Sequence, residues 1–92
     1  MLTKNTEKLV RSLGLRKNRK KSGLFVCEGL KLVTDFISAG FEPQNIFCFE
    51  ENLTDFNSFQ PVAIAPVEMK RITFLETPSP VLAVFKIPES KL

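Results

Sequence analysis

The chain contains no histidine. The residue most used as a general base and metal ligand is therefore missing, and a cysteine nucleophile would act without its usual partner. Tryptophan and tyrosine are absent as well, so a stacking surface would lack the aromatic residues that carry a polar handle. Glycine occurs at positions 14, 23, 29 and 40 alone, and nowhere in a GxGxxG or P-loop arrangement. Cysteine is limited to Cys27 and Cys48, each inside an apolar run and without a second cysteine or histidine at metal-ligand spacing. Buried free thiols are expected there. The longest apolar runs, "GLFVC" and "VLAVF", fall far short of the roughly 18 residues a membrane span needs. A soluble, cytoplasmic protein with no membrane partner is expected. Glu50 and Glu51 are adjacent and point apart in a helix or a strand, which argues against a cooperating acid/base pair. Neither a catalytic residue, a cofactor site nor a metal site is expected within these residues.

What is present is one modest core and an uneven charge. Ninety-two residues with 43% hydrophobic content make one domain, spanning residues 1–92. Residues 1–31 hold nine cations against Glu7 and Glu28, a net of +7, whereas residues 32–92 hold four cations against eight carboxylates, a net of −4. Five of those cations fall within six residues in "RKNRKK", positions 16–21, directly ahead of the apolar "GLFVC". A positive field gathered on one third of the chain suits a polyanion approaching from one side. A solvated helix face explains the same run without a ligand.

The order of elements is alternating. A helix opens near Thr3, with Leu9, Val10 and Leu13 on one face and Gly14 weakening or ending it. A basic helical turn over Arg16 to Lys21 stops at Ser22 and Gly23. "LFVCE", residues 24–28, reads as a buried strand. Leu30, Val33, Ile37 and Phe41 then follow helical spacing, reinforced by Leu32 and Phe36, up to Gly40. "NIFCF" (45–49) and "PVAIA" (61–65) read as strands, separated by an acidic short helix or loop. Pro66 opens a two-turn helix over 66–73, the proline-braced "FLETPSP" forms a loop, and "VLAVFKI" (81–87) is the last strand. Such an order describes an α/β sheet with helices on both faces. Of the nine phenylalanines, Phe25, Phe36, Phe47, Phe49 and Phe85 sit at core-like positions, and Phe74 beside the proline loop is left open.

Taken together, "KNRKKSGLFVCEGLKLV", "GFEPQNIFCFEE" and "ETPSPVLAVFKIPE" resemble the substrate-binding domain at the front of SpoU-type (TrmH family) RNA ribose methyltransferases. The resemblance implies a three-layer α/β/α sandwich around a mixed sheet of about four strands, similar to small RNA-binding ribosomal proteins. It further implies that the final strand runs antiparallel to the first, which would set the "ETPSP" loop beside the Glu28-Gly29-Lys31 turn. A knotted SPOUT domain that binds S-adenosylmethionine is expected to follow "KIPESKL", and the parent enzyme is expected to be a homodimer through that domain. The implied partner is ribosomal or transfer RNA, and the implied reaction is 2′-O-ribose methylation.

Carried over by position, the RNA surface implied by the resemblance falls on Arg16, Lys17, Arg19, Lys20, Lys21, Glu28, Gly29, Lys31, Thr77, Pro78 and Ser79. Structural roles stand beside these. Glu28 could complement the amino end of the following helix, Gly29 could be a tight turn, and Thr77 could cap a turn before Pro78. The family loop often reads Thr-Pro-Gln-Gly, whereas here it is Thr77-Pro78-Ser79-Pro80, a stiffer version. A stand-alone RNA-binding protein of ribosomal type, and a dimerisation module with an incidental basic run, are the alternative functions.

Overall fold

The computed structural model describes residues 2–88. Its elements are α1 (Lys4–Ser12), α2 (Arg16–Ser22), β1 (Leu24–Glu28), α3 (Leu30–Ser38), β2 (Pro43–Cys48), a 3-10 segment (Glu50–Phe59), β3 (Val62–Ala63), α4 (Pro66–Ile72) and β4 (Val81–Lys86). The strands form a mixed sheet in the order β1-β4-β2-β3. β4 lies between β1 and β2 and runs antiparallel to both, while β2 and β3 are parallel. The expected antiparallel pairing of first and last strands is thus present, with Glu28 opposite Leu82 and Leu24 opposite Lys86.

Alternation along the strands divides the core into two halves. Leu24 and Val26 of β1, Phe47 of β2, and Leu82 and Val84 of β4 face α1 and α4, where Val10, Leu13, Met69 and Ile72 meet them. Cys27, Ile46, Cys48, Val81, Ala83 and Phe85 face the opposite way, against Val33 of α3 and Phe56 of the 3-10 segment. The result is the three-layer α/β/α sandwich. Phe25, Phe36, Phe41 and Phe85 form one aromatic cluster on the α3 side, with Phe36 and Phe41 edge to face at 4.7 Å between ring centres. Both cysteines are free and buried.

Four details differ from the sequence pattern. β2 begins two residues earlier than expected and ends at Cys48, and an irregularity between Pro43 and Asn45 absorbs the proline, which has no N–H to donate. β3 is reduced to Val62 and Ala63, because only that pair lies opposite β2 at the sheet edge. α3 buries Val33, whereas Leu30 and Leu32 are 38% and 49% exposed, so its apolar stripe is narrower than the spacing suggests. α1 already stops at Ser12. Gly14 is needed for closeness rather than for helix termination, since a Cβ there would lie 2.8 Å from the Phe74 ring. Among the described residues no helix is long and apolar enough to cross a membrane.

Candidate nucleic-acid interface

Helical geometry sorts the basic run. At 100° per residue Arg16, Lys17, Lys20 and Lys21 share one face of α2, and Asn18 and Arg19 lie on the other. The first four are exposed; Asn18 and Arg19 are half-buried. The Asn18 amide donates to the Ser12 carbonyl at 2.9 Å and the Arg19 guanidinium to the Leu13 carbonyl at 2.8 Å. Those carbonyls lie at the end of α1, where the helical donors run out; Ser12 O also accepts from Leu15 N at 3.2 Å in the turn. Arg19 therefore fixes the turn between α1 and α2, and the four-cation face remains turned to solvent. α2 ends on Gly23, whose φ of 72° is the left-handed cap that glycine takes at least cost.

At the other end of β1 the chain turns through Gly29, with φ 106° and ψ 137°, a region open to glycine and costly for other residues. The Gly29 amide donates to Val81 O at 2.9 Å, which locks the β1–α3 turn to the first residue of β4. Ser79 Oγ donates to the same carbonyl at 2.6 Å, and Pro80 O accepts from Phe49 N at 3.0 Å. The loop carrying Thr77, Pro78 and Ser79 and the turn carrying Gly29 and Lys31 are thereby joined at one end of the sheet. Thr77 is exposed, while Pro78 and Ser79 are half-buried. Lys31 reaches Asp35 at 3.2 Å, but its side chain is 89% exposed. An ion pair this open is worth little and is readily exchanged for a phosphate.

Glu28 has a definite structural task. One carboxylate oxygen accepts from the Thr73 hydroxyl and the other from the Phe74 amide, the latter at 2.9 Å. It braces the start of the loop after α4 against the end of β1, rather than complementing the amino end of α3. Thr73 and Phe74 are residues that sequence reasoning missed in this role, and separations of 45 and 46 positions explain why. Elsewhere Glu68 caps α4 by accepting from Ala65 N at 2.8 Å and Leu2 N at 3.2 Å, and these bonds hold its carboxyl below the usual range.

The sites therefore occupy two ends of β1, about 17 Å apart for five residues at roughly 3.3 Å each. The cation face of α2 borders the start of the strand; Gly29, Lys31 and the 77–79 loop border its end. A family model, the MRM3-like substrate binding domain, matches residues 4–83. The chain belongs to that family. Solved structures agree in fold. A protein of the TrmH family of RNA methyltransferases from Porphyromonas gingivalis is 29% identical, superposes with a TM-score of 0.88, and is covered over 38% of its length by 100% of this chain. An AdoMet-bound rRNA methyltransferase from Sinorhizobium meliloti is 23% identical at a TM-score of 0.81, over 98% of this chain and 36% of that one. The SpoU methyltransferase AviRb from Streptomyces viridochromogenes, in complex with AdoMet, is 18% identical at 0.76, over 99% and 38%. The domain thus spans little more than a third of those chains. Among curated proteins none matches.

Proposed function

We propose that the domain binds RNA and presents it to a companion catalytic domain that carries out S-adenosylmethionine-dependent 2′-O-ribose methylation of ribosomal or transfer RNA. The observation that carries this reading is the placement of Arg16, Lys17, Lys20 and Lys21 on one exposed face beside β1, with Gly29, Lys31 and the Thr77–Ser79 loop at the strand's other end. Phosphates meeting the α2 face release counterions and give attraction without sequence choice. The turn and loop, held rigid by Val81 O, are suited to recognising local RNA shape. Membership in a substrate-binding family supports a presenting role.

The methyl donor belongs to the companion domain. Gly14 packs under Phe74, and Gly23, Gly29 and Gly40 serve turns at positive φ, so these residues offer no glycine-lined cradle for the cofactor. Calorimetric titration of the 92-residue chain with S-adenosylmethionine is expected to give no heat of binding, and saturable binding would overturn the division of labour. The test of the RNA reading is an electrophoretic mobility shift with a structured RNA that carries an internal loop. A shift that fades as salt rises is expected; absence of a shift at low salt would refute it.

A further inference from the structure

Among the described residues, the outer edge of β1 lies open between the two ends of the proposed site. β1 is the first strand in the sheet order and, among the described residues, pairs with β4 alone. The bonds Ile87 N to Gly23 O at 2.8 Å and Gly29 N to Val81 O at 2.9 Å fix the hydrogen-bonded pairs at odd-numbered positions of β1. The N–H and C=O of Val26 and Glu28 consequently point away from β4, and among the described residues they have no backbone or side-chain partner. Two adjoining hollows of about 450 and 410 Å³ run along this edge, sharing Phe25, Val26 and Phe74 as walls. Arg19 closes one end; Leu32 and Leu75 line the other.

Phe74 differs from the other ring-forming residues of this region. It is 50% exposed and stands outside the Phe25–Phe36–Phe41–Phe85 cluster. Its position is nevertheless held on two sides, by the Glu28 bond to its amide and by Gly14 beneath the ring. Holding an apolar ring half in water is unfavourable unless something covers it.

We infer that this groove takes an unstacked nucleobase of the bound RNA, stacked on the Phe74 ring with its polar edge met by the outward N–H and C=O of Val26 or Glu28. The inference rests on the RNA reading and deepens it. A planar base needs one aromatic face and one adjacent donor and acceptor, which is what the edge supplies. Arg19 lines one hollow, and the exposed Arg16, Lys17, Lys20 and Lys21 on the same helix, with Lys31 one residue from the groove-lining Leu32, supply positive charge nearby for the flanking phosphates. An added peptide strand fits less well, because the outward ladder offers just Val26 and Glu28, Leu24 N being turned to Ser22 Oγ at 3.3 Å.

Because the chain contains neither tryptophan nor tyrosine, Phe74→Trp places a single indole at the stacking position. Titration with a short single-stranded oligoribonucleotide is expected to quench that indole in parallel with binding, while an indole introduced by Phe59→Trp, at an exposed position in the segment leading to β3, is quenched far less. Phe74→Leu, which keeps apolar bulk over Gly14, is expected to weaken single-strand binding about 5- to 100-fold with circular dichroism and melting close to wild type. Unchanged affinity in Phe74→Leu, with the wild type still binding RNA, would overturn the stacked base and leave the RNA reading standing. No binding by the wild type would remove both. A Phe74→Leu change in oligomeric state at constant RNA affinity would assign the edge to a second chain and likewise overturn the inference.

Discussion

Both oxygens of Glu28 are engaged by Thr73 and Phe74, which makes its substitution a matter of stability first. Glu28→Ala leaves a hydroxyl and a backbone amide without their acceptor and is expected to cost about 1–3 kcal/mol. Amide exchange at Phe74 should accelerate, measured by hydrogen exchange together with the thermal midpoint; an unaltered midpoint would assign Glu28 to RNA contact alone. Gly29→Ala should cost about 1–3 kcal/mol for backbone strain. The thiols give a pH signature. Burial, then the neighbouring Glu28 charge, pushes Cys27 up to about 11, and burial with the Asp55 charge raises Cys48. In the unfolded chain the thiols ionise at their ordinary value near 8.5, so between there and about 11 the unfolded state binds fewer protons and stability falls as pH rises. Denaturant melts from pH 8 to 10 should show this, and Cys27→Ser with Cys48→Ala should remove it. Native thiols should resist alkylation at pH 8 and react once unfolded.

α2 shows how far an element can be anticipated. Its start, its stop at Gly23 and its charge are legible in the sequence because cation spacing and glycine chemistry are local. The separation of Arg19 from Arg16, Lys17, Lys20 and Lys21 follows from 100° steps once one face is known to be packed. The packed face itself is not legible, because the carbonyls of Ser12 and Leu13 that receive Asn18 and Arg19 are set by how α1 ends. Likewise Gly14 reads as a helix stop in the sequence, and the ring of Phe74, sixty positions away, supplies its reason. Arg19→Ala is therefore expected to destabilise by about 1 kcal/mol through removal of a hydrogen bond, a fall of about 4–8 °C in melting temperature for a domain this size. Lys20→Ala should stay within about 0.5 kcal/mol. Calorimetric melts of the two variants decide, and equal effects would contradict the sorting of the helix.

Across the whole molecule the strand order separates opposite charges. α2 flanks the β1 edge, and Glu50, Glu51 and Asp55 lie in the segment that joins β2 to β3 at the far edge. A polyanion is drawn to the β1 side and repelled from the β3 side. The alternation of elements and the two-sided core can be anticipated from periodicity, whereas the outward-facing backbone of Val26 and Glu28 requires the sheet order, which no local pattern encodes. That core is small enough to be undone at one residue: Phe85 is fully buried and packs on Phe25 at 5.7 Å, so Phe85→Ala should cost about 3–5 kcal/mol, much of a small domain's stability. The central claim is that the α2 face binds RNA phosphates. Its most direct test is the slope of log K against log salt for a single-stranded RNA, measured on the wild type and on the variant with Arg16, Lys17, Lys20 and Lys21 all replaced by alanine. The slope should flatten by about 0.7 for each phosphate that is no longer neutralised, with the fold intact; an identical slope in the two proteins would return the basic run to a solvated helix face.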